Sequence, residues 1–243
     1  MKKYIGLVLL FTFMQLSAAV SFDGVDDVIE CGAQNQLDDL SALTVIVWAN
    51  FVDSGENTYG TYLAKSTAGV DGWYVDLNAD MPRFVYVDSP CCLVRRSVAA
   101  TTDYGKWTRY LTTWDGSTTA ANVHILLDGT ETTYNQTSNG TTLPSDAAAN
   151  LYIGNRSNTA NTSNGDIACV AIWEGVLDSS SIATLTTSPC RTALKIRGDI
   201  IRFYAELDGG RDGAASSSII NLVDGSTCTA TNSPTARAAS IAR

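Results

Sequence analysis

The chain has 243 residues, of which 16 are Lys or Arg and 25 are Asp or Glu, giving a net charge of −9 with only 17% of residues charged. A surface of that sign repels polyanions and argues against a nucleic-acid partner. The length suits one β-sandwich that buries a full core without a metal, its solubility resting largely on Thr, Ser and Asn side chains.

Residues 1–19 read as a secretory signal peptide. Met1-Lys2-Lys3 is a basic opening, residues 4–16 are apolar almost throughout, and Ser17-Ala18-Ala19 supplies the small residues that a signal peptidase reads. Cleavage is expected after Ala18 or Ala19, leaving a secreted, extracellular or cell-surface protein. The apolar run falls short of the roughly 20 residues that span a bilayer, and no later stretch is long and apolar enough, so no membrane span is expected after cleavage.

Short segments rich in Val, Ile, Thr, Tyr and Trp follow, and they predict strands over 25–31, 43–51 and 62–65. In the second of these, Leu43, Val45 and Val47 face one side, and Thr44, Ile46 and Trp48 the other. Strands over 73–77 and 83–88 form a hairpin across 78–82. Further strands are expected over 107–114, 122–127, 151–154, 166–173 and 200–207. Turn signals punctuate them, among them Asp23-Gly24, Asp71-Gly72, Asp115-Gly116, Asp128-Gly129, Asn139-Gly140, Asn164-Gly165, Asp208-Gly209 and Asp224-Gly225. Asp-Gly and Asn-Gly suit tight turns because both positions tolerate positive φ. Asp178 is placed to cap one short helix over 179–185. So many turns with so little helix indicate an antiparallel sandwich or barrel. Residues 192–243 read as a return segment of the same domain, being too few to bury a core of their own.

The six cysteines are Cys31, Cys91, Cys92, Cys169, Cys190 and Cys228. In an exported chain they are free to pair, and six cysteines permit 15 connectivities. The adjacent Cys91 and Cys92 are expected to bond to two different partners more readily than to each other.

Several motifs share an order with one known family. Phe22-Asp23-Gly24-Val25-Asp26-Asp27-Val28-Ile29 resembles the opening strand of bacterial laminin-G-like domains, and Leu43-Thr44-Val45-Ile46-Val47-Trp48 their second strand. Lys106-Trp107-Thr108-Arg109-Tyr110, running into Trp114-Asp115-Gly116-Ser117, resembles their central strand and turn. Residues 123–129 are similar to the strand that follows. Leu151-Tyr152-Ile153-Gly154, Gly165-Asp166-Ile167 and Ala171-Ile172-Trp173 resemble the closing strands, and Val176-Leu177-Asp178 leads into the helix after them. The resemblance, to the laminin-G-like members of the concanavalin-A-like lectin/glucanase superfamily of bacterial or phage type, covers about residues 21–187. It implies an all-β, two-sheet antiparallel jelly-roll sandwich with one short helix, as a single domain over 20–243. It does not fix function, which has to be argued from sites. One departure stands out: where many members carry an acidic pair in the closing strand, this chain has Ala168 and Cys169.

Catalytic chemistry finds little to use. His124 is the sole histidine and lies mid-strand with no nucleophile elbow to partner it, so it reads as a sheet-face residue. The related glucanases resemble one another in a Glu-x-Asp-x-x-Glu strand; Glu206-Leu207-Asp208 matches only its start, breaking into Gly209-Gly210. No phosphate-cradling motif occurs. Asp23, Asp26, Asp27, Asp71 and Asp76 could supply some of the oxygen ligands of calcium, but are read as turn and strand-end residues, so no metal or other cofactor is expected.

Glycan recognition calls for an aromatic platform beside polar groups. Two loops have that composition, 53–62 and 71–76, and within them Tyr59, Tyr62, Asp71, Trp73, Tyr74 and Asp76 are the expected ligand-binding residues. Arg95-Arg96 is the one local basic feature and reads as a solvated edge. Segment 130–164 reads as exposed polar loop with N-x-[ST] sequons at Asn135, Asn139, Asn155 and Asn161. The function expected is that of a secreted, non-catalytic module for carbohydrate or a surface protein. The alternatives are a structural or decoration protein of a virion or cell-surface assembly and, less favoured, a glycoside hydrolase.

Overall fold

The computed structural model describes residues 17–67, 70–88, 91–99, 101–207, 219–232 and 234–239. The strands in chain order are β1 (Ser17–Asp23), β2 (Val28–Glu30), β3 (Leu43–Phe51), β4 (Thr61–Lys65), β5 (Trp73–Asn78), β6 (Met81–Tyr86), β7 (Leu93–Ser97), β8 (Thr108–Trp114), β9 (Val123–Leu127), β10 (Thr130–Glu131), β11 (Tyr134–Ser138), β12 (Leu151–Ile153) and β13 (Asn164–Glu174). Helix α1 (Ser179–Thr187) comes next, then β14 (Ile201–Glu206), β15 (Ile219–Ile220), β16 (Thr227–Thr231) and β17 (Thr235–Ala239). They form two antiparallel sheets. One has the order β10-β9-β8-β3-β13-β1-β17, with β14 also on β13; the other runs β11-β7-β6-β5-β4-β12-β2-β16-β15. This is the expected jelly-roll sandwich.

Alternation along the strands sets the layers. Leu43, Val45, Val47, Ala49 and Phe51 of β3 point between the sheets, with Ile167, Val170 and Ile172 of β13, Trp73, Val75 and Leu77 of β5, and Trp114 of β8. The opposite parity is also apolar. Ile46, Trp48, Ala171 and Trp173 face outward from the first sheet, covered by Leu177, Leu185 of α1 and Ala193. Strands with large residues on both faces are thereby buried twice, once by the partner sheet and once by the helical layer. Asp178 caps α1, its Oδ1 accepting from Ser181 N at 2.8 Å.

The tail is woven into both sheets. β14 pairs with the second half of β13, Cys169 opposite Glu206, while β1 occupies the first half of the same edge, Val20 opposite Ile167. Disulfide Cys31–Cys228 fastens β16 beside β2, and Cys169–Cys190 fastens the turn after α1 to β13. The remaining pair is a correction to the sequence reading. Cys91 and Cys92 bond to each other, the other four cysteines being paired where β16 lies beside β2 and where the turn after α1 meets β13.

Several strands lack a clear signal in sequence. β1 starts at Ser17, inside the expected signal segment, but residues 17–19 pair only with β17, and pairing to β13 begins at Val20. The residues before Ser17 lie outside those described. β10 and β11 are polar, β7 is apolar only at Leu93 and Val94, and β11 over 134–138 shows that the stretch 130–164 is not simply loop. Asn135 and Asn139 in it are exposed, but Asn155 is fully buried and Asn161 nearly so, their amides bonded to Thr162 and Arg156. Those two sequons are inaccessible in the folded chain. Arg95-Arg96 is not an edge either, since β7 is flanked by β6 and β11. The hairpin of β5 and β6 is tighter than expected, with Asn78 opposite Met81 and Ala79 at φ 55°.

A lysine lies wholly inside. Lys65 at the end of β4 has no exposure, and its Nζ lies 2.9 Å from Asp38 Oδ1 and 3.7 Å from Asp146 Oδ1. It also donates to the carbonyls of Asp146 and Ala149 at 2.8 and 3.2 Å. Burial pushes the Asp146 carboxyl above its ordinary value, against the pull of the Asp39 amide and of Lys65.

Candidate functional site

On β5, Trp73, Val75 and Leu77 take the core side, so Tyr74, Asp76 and Asn78 project from the outer face of the nine-stranded sheet. On β6 the same logic leaves Arg83 and Val85 outside. Register then builds a row across the sheet, Val94 opposite Val85, Val85 opposite Tyr74, Tyr74 opposite Ala64, and Ala64 opposite Tyr152. Tyr74, Val85, Val94 and Ala64 pack into a small apolar patch on this outer face.

Beside that patch stands a charged one. Asp76 and Arg83 are cross-strand partners, and the guanidinium grips the buried carboxylate in two bonds, Nε to Oδ1 at 2.9 Å and Nη2 to Oδ2 at 2.5 Å. Burial works against the charge of Arg83, but Asp76 outweighs it and raises the guanidinium above its ordinary value. Arg83 lies 5.2 Å from the centroid of Tyr59 and 5.8 Å from that of Tyr74; Arg156 covers Tyr74 at 4.9 Å. With its amide turned to satisfy both donors, Asn78 accepts from Arg83 Nη1 and Arg96 Nη1 at 3.1 Å each. Arg83, Arg96 and Arg156 thus share one face, and Asp76 neutralises only the first.

Tyr59 is 37% exposed and is carried on a loop with little freedom. Gly55 at φ +77° brings the backbone so close that a Cβ there would lie 2.4 Å from the Thr162 carbonyl, while Glu56 N donates to that carbonyl and Ala79 N to Thr58 O. Arg156 is set by Asn155, whose Oδ1 accepts from the amides of Arg156 and Asn161.

The expected residues therefore separate. Tyr59, Tyr74 and Asp76 come together on the outer face. Tyr62 and Trp73, each 1% exposed, lie in the core between the sheets, where the ring of Tyr62 packs on Phe51 and Tyr110. This corrects the sequence reading: a bulge between Thr61 and Leu63 turns Tyr62 inward, and Trp73 has the inward parity of β5. Asp71 caps the β4–β5 connection, accepting from Thr67 N at 2.8 Å. Arg83, Asn78 and Arg156 were missed, and Arg96 was read as part of a solvated edge. Alternation alone places Arg83 with Tyr74 and Asp76 once the two-residue turn is known, but nothing local in the sequence brings Arg156 to that face.

The other candidates resolve as follows. His124 is exposed, with Nδ1 2.7 Å from Glu131 Oε1. Glu206 is gripped by Arg191 at 2.7–2.9 Å and by Tyr204 Oη at 2.7 Å; burial opposes its charge, but these bonds hold its carboxyl below the usual value. Asp208 lies outside the described residues. Asp23, Asp26 and Asp27 form one cluster, with a carboxylate oxygen of each within 4.8 Å of the others. Asp71 and Asp76 are engaged elsewhere. Asp27 is 3% exposed, and burial pushes its carboxyl up to about 6, the Asp23 amide opposing and the charges of Asp23 and Asp26 adding to the rise.

Solved structures share this architecture. A proposed carbohydrate binding protein from Bacteroides ovatus superposes with a TM-score of 0.60 at 14% identity, over 92% of this chain and 60% of that one. The present chain therefore spans less than two thirds of that protein's length. Domain 4 of the extracellular GH43 arabinanase AbnA from Geobacillus stearothermophilus, solved with arabinotriose, gives 0.48 at 19% identity over 70% of this chain and 76% of that one. Domains LG4-5 of the mouse laminin alpha1 chain give 0.47 at 17% identity over 74% and 48%. At these identities the likeness is one of fold. No sequence among curated proteins matches the chain. The profile of the laminin-G domain family Laminin_G_3 matches residues 23–183, and with the two-sheet jelly roll this places the chain in the concanavalin A-like lectin/glucanases superfamily.

Proposed function

We propose that the chain is an exported, non-catalytic recognition module whose ligand is a glycan, bound on the outer face of the nine-stranded sheet around Tyr59. The observation that carries this reading is the combination on one face of a half-exposed, loop-locked aromatic ring and three arginines of which one is neutralised. An aromatic ring covers the apolar face of a sugar, and guanidinium groups read its hydroxyls and carboxylates. Positive charge gathered there on a chain of net charge −9 favours acidic glycans, bearing uronate or sulfate groups. Binding rather than cleavage is favoured because glycoside hydrolysis needs two carboxylates about 5–10 Å apart across one sugar, and Asp76 and Glu206 are each bound by arginine.

The test is a glycan array of neutral, uronate-bearing and sulfated sugars, probed with the folded chain in calcium and again in EDTA. Binding to acidic sugars that falls at least tenfold in Tyr59→Ala and Arg156→Ala supports the reading. Binding that both variants retain moves the site elsewhere. A silent array, together with capture of a cell-surface protein, replaces the glycan by a protein partner.

A further inference from the structure

The loop over 101–106 carries a tyrosine that the residues around Tyr59 do not include. Tyr104 is 37% exposed, as Tyr59 is. Its loop is held at three points. Gly105, at φ +76°, donates through its amide to the Phe51 carbonyl at 2.8 Å, Thr102 N to the Asp80 carbonyl at 3.1 Å, and Tyr104 Oη to the Ala79 carbonyl at 3.2 Å. Ala79 and Asp80 are the turn between β5 and β6. The loop of Tyr59 grips the same turn, Ala79 N donating to the Thr58 carbonyl at 2.8 Å. These two bonds to Ala79 put the Tyr104 hydroxyl within about 10 Å of the Thr58 carbonyl, one residue and two hydrogen bonds away.

The two rings differ in their surroundings. Arg83 lies over Tyr59, whereas among the described residues no ring and no cation stacks on Tyr104. The charge beside them differs in sign. Arg83 and Arg156 stand near Tyr59 and Tyr74, while burial together with the carboxylates of Asp80 and Asp53 raises the Tyr104 hydroxyl above its ordinary value, against a hydrogen bond with Ser54. Lys106 is paired with Asp103 at 2.7 Å. A half-exposed aromatic ring on a loop pinned at three points offers apolar surface whose ordering has been met in folding, so little entropy is lost when a ligand covers it.

We infer that Tyr104 is a second sugar platform, and that the ligand is an oligosaccharide with an acidic unit at Tyr59, Arg83 and Arg156 and a neighbouring neutral unit on Tyr104. This rests on the glycan face proposed around Tyr59 and fixes two further properties of its ligand. The ligand has more than one sugar, because each tyrosine takes one sugar ring. Its charge is uneven, because a carboxylate or sulfate on the Tyr104 unit would meet Asp53 and Asp80. Chains charged on every unit are therefore poorer ligands than chains in which an acidic sugar adjoins a neutral one.

The test is calorimetric titration of the folded chain with three kinds of probe: an acidic monosaccharide, a disaccharide joining it to a neutral hexose in either order, and a disaccharide of two acidic units. Glucuronate and galactose 6-sulfate serve in turn as the acidic unit. The mixed disaccharide is expected to bind at least tenfold more tightly than the monosaccharide in one of its two orders, and the doubly acidic one to show no such gain. Tyr104→Ala should erase the gain and leave monosaccharide affinity unchanged, while Tyr104→Phe, which keeps the ring, should keep the gain. Both substitutions are at an exposed position, and thermal unfolding confirms that each variant is folded. Absence of a gain in either order, or a gain that Tyr104→Ala retains, overturns the second platform and leaves the Tyr59 face standing. An equal gain for the doubly acidic disaccharide overturns the charge preference. No binding by any probe of either series overturns both the platform and the face it extends.

Discussion

Replacing Lys65 by methionine tests how the interior handles charge. The ammonium is fully buried between Asp38 and Asp146 and satisfies two carbonyls, while the Asp146 side chain is 1% exposed. Methionine keeps most of the volume but leaves Asp146 without a countercharge. Removing one partner of a buried pair costs about 3–5 kcal/mol, which for a chain of this size lowers Tm by about 6–20 °C. The cost has a pH signature. Burial already raises the folded-state value of Asp146, and Lys65 is one of the groups that holds it down. A carboxyl with a raised folded value contributes most to stability where it is protonated, and that contribution is lost as pH rises through the folded value. Without Lys65 the rise is larger, so the penalty of Lys65→Met should be greatest at pH 8 and smaller at pH 5 by about 1 kcal/mol or more. Urea unfolding at the two pH values measures it. Adding Asp146→Asn should recover part of the loss at pH 8, since an amide oxygen still accepts from Asp39 N. A cost below about 1 kcal/mol, or one equal at both pH values, would refute an ionised pair in the interior.

The disulfides should rank by the chain they close. Cys31–Cys228 spans 197 residues and Cys169–Cys190 spans 21, so replacing each pair by alanine should cost about 5 and about 3 kcal/mol respectively. Cys91–Cys92 closes almost no chain, and its removal should cost under about 1 kcal/mol. Equilibrium unfolding of the three variants checks the order, and a reversed ranking would show that strand contacts rather than chain constraint set the values. Gly154→Ala places a Cβ 2.0 Å from the Phe22 ring at φ +80°, so strain alone should cost about 1–3 kcal/mol and the clash more; a Tm within about 2 °C of the parent would contradict that packing. Mass spectrometry of the exported chain should find its first residue at Ala19 or Val20. A chain beginning at Val20 should keep a cooperative transition, because its pairing to β13 is complete.

Periodicity and punctuation by themselves determined the strands with strong apolar alternation. β3, β8, β9 and β13 were legible because period-two burial leaves a chemical trace that needs no partner to be seen, as with Val45 and Val47 against Ile46 and Trp48. Asp178 announced α1 for a similarly local reason. The polar edge strands β10 and β11 left no such trace, since an edge strand with a solvated face imposes little on its side chains, and in β7 Arg95 and Arg96 cut short the apolar start of Leu93 and Val94. The bond between Cys91 and Cys92 was decided only when β2 met β16 and β13 met the turn after α1. The candidate site divides in the same way. Tyr59, Tyr74 and Asp76 were visible as composition, but their meeting with Arg83 depends on the hairpin register, and with Arg156 on a loop about 80 residues further along the chain. The sequence showed that acidic residues crowd the turn after β1; only tertiary packing buried Asp27 and left one of its oxygens without a donor among the described residues. Local patterns are written residue by residue, whereas burial and long-range register exist only once distant segments have met.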